Sequence, residues 1–212
     1  MNQSKQELIT WKTLFNSPRA RWMLLFSILA LTFIIFYLPV FYQHVIEPKQ
    51  GILIHDVVLS SLNPINFSIP IFTIIYLTIL YTFFTNLRYP DKLLLGLSVY
   101  LAVSLLRMLA MYAITFEPPQ DIILLIDPVT SRFYPDAGFA KDLFFSGHVS
   151  TLTLMVLLEK RLIIRWIKIV ATIIVAVLLA WQHVHYTLDL IVAPFVTIGV
   201  YRLFAYWLRP VQ

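Results

Sequence analysis

The chain has 212 residues, of which 59% are hydrophobic and 13% charged, and its mean hydropathy is +0.80. Soluble domains are about 45–50% apolar and about 25% charged, so the composition excludes that class and points to a membrane bundle. The formal charge of +5 does not imply a nucleic-acid partner, because the basic residues flank apolar runs, and the lack of cysteine excludes disulfides and thiolate metal sites.

Residues 1–21 are polar and basic, and read as a cytoplasmic segment ahead of a single catalytic domain over 22–212. The first apolar run covers 22–42. It is longer than the core of a signal peptide, about 7–15 residues, and no small-x-small site follows it, so it is expected to stay as the first span. A loop with Glu47, Lys49, His55 and Asp56 leads to a second span over 69–84. Arg88-Tyr89-Pro90-Asp91-Lys92 reads as a tight turn, since proline disfavours helix in the residue before it. The third span covers 93–116. The longest polar segment follows, 117–141, with Pro118-Pro119 and the acids Asp121, Asp127 and Asp136, and has the character of a lid or substrate-binding loop. A fourth span over 146–158 is short against the rule of about 17–25 residues. The fifth and sixth cover 166–182 and 188–207. The expected fold is all-α, an integral membrane bundle of six transmembrane helices.

Charge bias sets the expected orientation. With the N-terminus in the cytoplasm, twelve of the sixteen lysines and arginines fall on the cytoplasmic side. Only Lys49, Arg132 and Lys141 lie outside, and Arg107 lies within the third span. By the positive-inside rule both termini are cytoplasmic. A multi-pass protein of this size with no long cytoplasmic domain suggests a bacterial inner (plasma) membrane, with any site at His148 or His185 on the outer face.

Ionisable groups at membrane depth are costly, and by default mark function. His148 begins the fourth span, His185 and Asp189 straddle the turn between the fifth and sixth, and Arg107 sits two to three turns below the outer end of the third. Distant stretches thus meet at one depth on one face. His185 and Asp189, at i and i+4, share a face on a continuous helix. A carboxylate on one ring nitrogen fixes the tautomer and leaves the other nitrogen as nucleophile or base. His148 is placed to protonate a leaving oxygen. Arg107 offers a planar fork for a phosphate. Ser146-Gly147 at a helix start offers free N–H groups and close backbone approach to an anion. Together these suit phosphoryl transfer through histidine, with neither metal nor other cofactor required. The plainer alternatives are a helix-start role for Asp189, outward snorkelling of Arg107 and a mere turn at Ser146-Gly147-His148. His44, His55 and His183 read as interfacial polar residues, and the aromatic residues as lipid-facing packing.

Asp142-x-x-x-Ser146-Gly147-His148 and His185-Tyr186-Thr187-x-Asp189 resemble the two signature motifs of the sphingomyelin synthase-like branch of the type-2 phosphatidic acid phosphatase superfamily. Arg107-x-x-x-Met111-Tyr112-x-x-Thr115-x-x-Pro118 is similar to the motif on that branch's third span. The resemblance covers roughly residues 100–205; residues 1–90 match only in helix layout. It implies a triad of His148, His185 and Asp189. In that scheme His185 attacks phosphorus, Asp189 supports it and His148 serves the leaving group. It also implies substrate contacts from Arg107, Ser146, Gly147, Asp142 and Tyr186. The expected substrates are lipids: a phospholipid donor, with diacylglycerol, ceramide or water as acceptor. A lipid acceptor makes a synthase that moves a phospho-head group, and water makes a phosphatase acting on phosphatidate or a prenyl pyrophosphate. The chain lacks the Lys-x6-Arg-Pro motif of the ordinary lipid phosphatases and carries Leu179 where they have arginine, which favours the synthase-like branch. Arg107 is then the evident clamp, with Lys141 and Arg132 as possible supplements. Asp142 and Glu117 would contact a cationic choline or ethanolamine group, organise the histidines, or be ordinary loop acids. Two other classes stay open, a small anion transporter using Arg107 and the histidines, and an inactive binding scaffold.

Overall fold

The computed structural model describes residues 11–129 and 139–208. Among these the structure is helical, apart from one isolated bridge between Ile52 and Phe116. A short α1 (Trp11–Asn16) precedes α2 (Pro18–Phe41), which continues through a π-helical turn, Tyr42–Ile46. Ser17 caps α2 and Pro18 occupies its first turn, where the missing N–H costs nothing. A single turn, α3 (Val57–Ser60), leads to α4 (Ser68–Asn86), and Pro90 opens α5 (Pro90–Ala113). After the long loop come α6 (Gly147–Leu157), α7 (Leu162–Trp181) and α8 (Thr187–Trp207).

Among the described residues five helices are long and apolar enough to cross a membrane: 18–46, α4, α5, α7 and α8. The expected fourth span is α6, and it differs. Its 11 residues reach about 16 Å, half of a ~30 Å hydrocarbon core. A helix this short works here because it is wrapped by the others and its last carbonyls meet cations instead of water. Lys168 donates to Met155 O at 3.3 Å, Lys92 to Leu158 O at 3.2 Å and Arg165 Nε to Glu159 O at 2.9 Å. α6 packs on α8 and α7, with α4 and α5 completing the ring, while α2 lies outside against α5. The core is centred on fully buried Ile71, Val99, Leu152, Leu179 and Ala193, one from each of α4 to α8.

The chain reverses at each connection, so one end of the bundle gathers residues 42–67, residues 114–129 and 139–146, the start of α6 and the turn between α7 and α8. Gln182, fully buried, ties these together. Its side chain accepts from Phe67 N (2.7 Å) and donates to Ser68 Oγ and Ile123 O, while its carbonyl accepts from Ile123 N. Ile126 N also donates to Ser68 Oγ, and the Tyr186 hydroxyl to Glu117 O. The described part of the expected lid is therefore fastened to the bundle. Asp136 and Arg132 lie outside the described residues.

Candidate active site

Ser146 is fully buried and caps α6, its Oγ accepting from Val149 N at 3.5 Å. Its own N–H donates to Asp189 O at 3.3 Å, which joins the two motifs through the backbone. His148 therefore falls in the first turn of α6, beside the start of α8. Its ring centroid stands 6.0 Å from that of His185.

His185 is not on α8, as a continuous-helix spacing would have it. It lies in the turn before the helix, whose first residue is Thr187. His183 takes a left-handed φ of 59°, a conformation open to only a small share of non-glycine residues, and this tight turn folds His185 back toward Asp189. The Asp189 side chain accepts from Tyr186 N at 3.1 Å, an N3 carboxylate satisfying the N-cap amide. The helix-start role and a triad role for Asp189 are thus not exclusive. His185 Nδ1 stands 3.5 Å from Asp189 Oδ2, inside ion-pair range but without hydrogen-bond geometry, and both side chains are fully buried. His148 Nδ1, both nitrogens of His185 and Asp189 Oδ1 are buried without hydrogen-bond partners among the described residues. Buried polar atoms are normally paired, so four orphans at one spot call for an explanation, and functional sites supply one.

Arg107 reaches this spot from α5. Its Nη2 donates to Asp142 Oδ1 at 2.6 Å and its Nε to Phe145 O at 2.7 Å. It does not snorkel outward. The guanidinium lies against Gly147, where an added Cβ would sit 2.6 Å from Cζ. Glycine is needed there because arginine occupies the space of a side chain. Burial disfavours the charged form of Asp142, but Arg107, His185, the Tyr42 hydroxyl and His148 together outweigh it and hold the carboxyl below its ordinary value.

A cavity of about 230 Å³ opens here, lined at this end by Arg107, Asp142, Gly147, His148 and Asp127. It continues past Ile79 and Leu154 to Thr197, ten residues into α8 and so about 15 Å along it. His185 and Asp189 do not line it; His148, whose ring centroid is 6.0 Å from that of His185, does. Among the described residues no three His, Asp or Glu side chains converge as a metal-binding set.

Other expected contributors are placed differently. Lys141 turns away and donates to Lys49 O (2.6 Å) and Glu117 Oε1 (3.1 Å), so it supplements no clamp here. Glu117 also accepts from Gly51 N, which with Lys141 keeps its carboxyl below the usual range; it acts as a loop brace. Tyr186 is buried, its ring edge-on to Phe116. His183 is buried too, its Nδ1 2.9 Å from Gln120 O, contrary to an interfacial residue, whereas His44 and His55 are exposed. Two contributors had no local signal. Asp56 accepts from Thr187 N at 2.7 Å and Thr187 Oγ1 at 3.1 Å, capping α8 from a distant loop. Tyr42 donates its hydroxyl to Asp142 Oδ1. A helix-start pattern at Asp56-Val57 was available, but its second partner was not.

No curated protein matches the chain. Residues 141–207, which hold the His148 turn, α7, the His185 turn and α8, match the family model described as PAP2 superfamily C-terminal. That part of the chain, about a third of it, is thus similar to the type-2 phosphatidic acid phosphatase superfamily.

Proposed function

We propose that the protein cleaves a lipid phosphoester through a phospho-histidine on His185, and that it passes the phospho-head group to a second lipid. The observation that carries this reading is the convergence of His148, His185, Asp189 and Arg107, of which His148 and Arg107 line one end of a cavity. Asp189 holds the proton on His185 Nδ1, which leaves the Nε2 lone pair free. Nε2 bonds to phosphorus as the ester P–O bond breaks, and His148, protonated, gives its proton to the departing oxygen. Arg107 and the first N–H groups of α6 face the charge that develops on the phosphoryl oxygens. In the second half an acceptor hydroxyl gives its proton to His148, its oxygen bonds to phosphorus, and the N–P bond breaks. With water as acceptor the same groups make a phosphatase. The broader superfamily match is what favours keeping that second reading.

His148 lines the cavity and His185 does not, so in this reading the His148 ring rotates before attack. Because basic residues crowd the opposite end of the bundle, we place the site on the outer face of the membrane. The chain has no cysteine, so Gln50→Cys should react with an impermeant maleimide added outside intact cells.

The deciding experiment incubates purified protein with mixed phospholipids, diacylglycerol and ceramide, beside His185→Ala, and profiles the lipids by mass spectrometry. A new phospholipid with matching loss of donor supports transfer. Free phosphate from phosphatidate, without a transfer product, makes it a phosphatase. Identical profiles for wild type and variant reject the reading and leave anion transport or a binding scaffold.

A further inference from the structure

The segment that leads into the Ser146-Gly147-His148 turn is held by residues 42–49, at the end of the first span. Glu47 Oε1 accepts from Ala140 N at 2.9 Å and Lys141 N at 3.1 Å, and Lys49 O accepts from Lys141 Nζ. Phe139 stacks on Tyr42, with ring centroids 4.8 Å apart. The π-helical turn starts at Tyr42, directly after the helix that contains Pro39. Such turns re-aim the side chains they carry, and they recur at functional sites. Tyr42 is 2% exposed and does not line the cavity. Its hydroxyl donates to Asp142 Oδ1, the same oxygen that takes Arg107 Nη2. One carboxylate oxygen therefore joins Tyr42 of the first span to Arg107 of α5.

We infer that Tyr42 is a positioning residue for phosphoester recognition, acting through Asp142 on the Arg107 guanidinium. The inference rests on the phosphoryl-transfer reading above. Tyr42 fixes the carboxylate, the carboxylate and Phe145 O fix the guanidinium, and the guanidinium presents its remaining edge beside Gly147 at the cavity. The first span, which lies outside the matched residues 141–207, thereby becomes part of the site.

The test is a double-mutant cycle in the full chain, with Tyr42→Phe, Asp142→Ala and both together. It reads KM and kcat for phospholipid turnover, the Kd of orthovanadate by calorimetry, and melting temperature. Tyr42→Phe is expected to raise KM and the vanadate Kd about tenfold, the scale of one hydrogen bond to a charged group, with kcat changed far less. In the Asp142→Ala background, which has no side-chain acceptor for the hydroxyl, the same substitution should change neither constant. Equal losses in both backgrounds, tracking melting temperature, would reduce Tyr42 to packing and overturn the inference. So would wild-type KM and Kd in Tyr42→Phe. A wild type that turns over no phosphoester and binds no vanadate would sink the phosphoryl-transfer reading, and this inference with it.

Discussion

His185 and Asp189 face each other across 3.5 Å with neither side chain exposed, although His185 precedes the helix that carries Asp189 in its first turn. The carboxylate has two duties, since it also accepts from Tyr186 N. Asp189→Asn separates them. The amide oxygen can still take the Tyr186 N–H, so the melting temperature should hold, while control of the His185 tautomer is lost. Turnover should fall on the order of 10²–10⁴, the usual weight of a positioned acid or base. Wild-type rates in this variant would leave Asp189 as a helix-start residue alone.

Gly147 offers an opposite separation. Alanine is the better helix former by about 1 kcal/mol, so on local grounds Gly147→Ala should stabilise α6. Its Cβ, however, would stand 2.6 Å from Arg107 Cζ, and Asp142 and Phe145 O hold that guanidinium in place. The expected outcome is a melting temperature within a few degrees of wild type and phosphoester affinity reduced about tenfold or more, the scale of a displaced charged hydrogen bond. Unchanged KM would mean that Arg107 moves aside freely and is not a fixed clamp.

What the sequence reveals follows the range of the forces involved. Long apolar runs declare themselves because burial in lipid is a matter of composition, and α2, α4, α5, α7 and α8 fall within a few residues of the expected spans. The short α6 does not obey the length rule, because Lys92, Arg165 and Lys168 from other elements satisfy its end. His148, His185, Asp189 and Arg107 stand out as costly groups in apolar surroundings. Tyr42 and Asp56 do not, since their partners lie 100 and 131 residues away and nothing beside them in the chain marks the bond. Lys168 shows the converse failure. It has the sequence character of a boundary charge, yet it is buried against Glu159.

Asp56 makes a pH prediction. Burial favours its neutral form, but the Thr187 N–H and hydroxyl, with the amides of Leu59 and Val58, outweigh this and hold its carboxyl below the ordinary value. A depressed folded value means that stability is present above the unfolded pKa, about 3.9, and is lost as pH falls through the folded one. Asp56→Ala should therefore lower stability by about 1 kcal/mol at neutral pH, as for other lost caps. The gap to wild type should close as the pH is taken below about 4. A gap that stays constant from pH 7 to pH 3 would show that packing, not the ionised carboxylate, holds the start of α8.

At the opposite end of the bundle, Lys168 and Glu159 form an ion pair of 2.9 Å, with side chains 4% and 8% exposed. Lys168 also donates to Met155 O, and Glu159 Oε1 accepts from Arg161 N at 3.0 Å, so each charge has further partners. Removing one member leaves the other buried without compensation, which typically costs about 3–5 kcal/mol. Lys168→Met should therefore lower the melting temperature sharply and free the carbonyl end of α6. Lys168→Met with Glu159→Gln should recover much of the loss, because no unpaired charge remains and the amide oxygen can still accept from Arg161 N. Thermal unfolding in detergent of the single and double variants decides the point. The candidate site lies a full α6 length away, about 16 Å, so kcat/KM per folded molecule should be unchanged in both. A single variant that melts with wild type would show that water reaches this pair, and that α6 ends in a solvated recess instead of a dry cap.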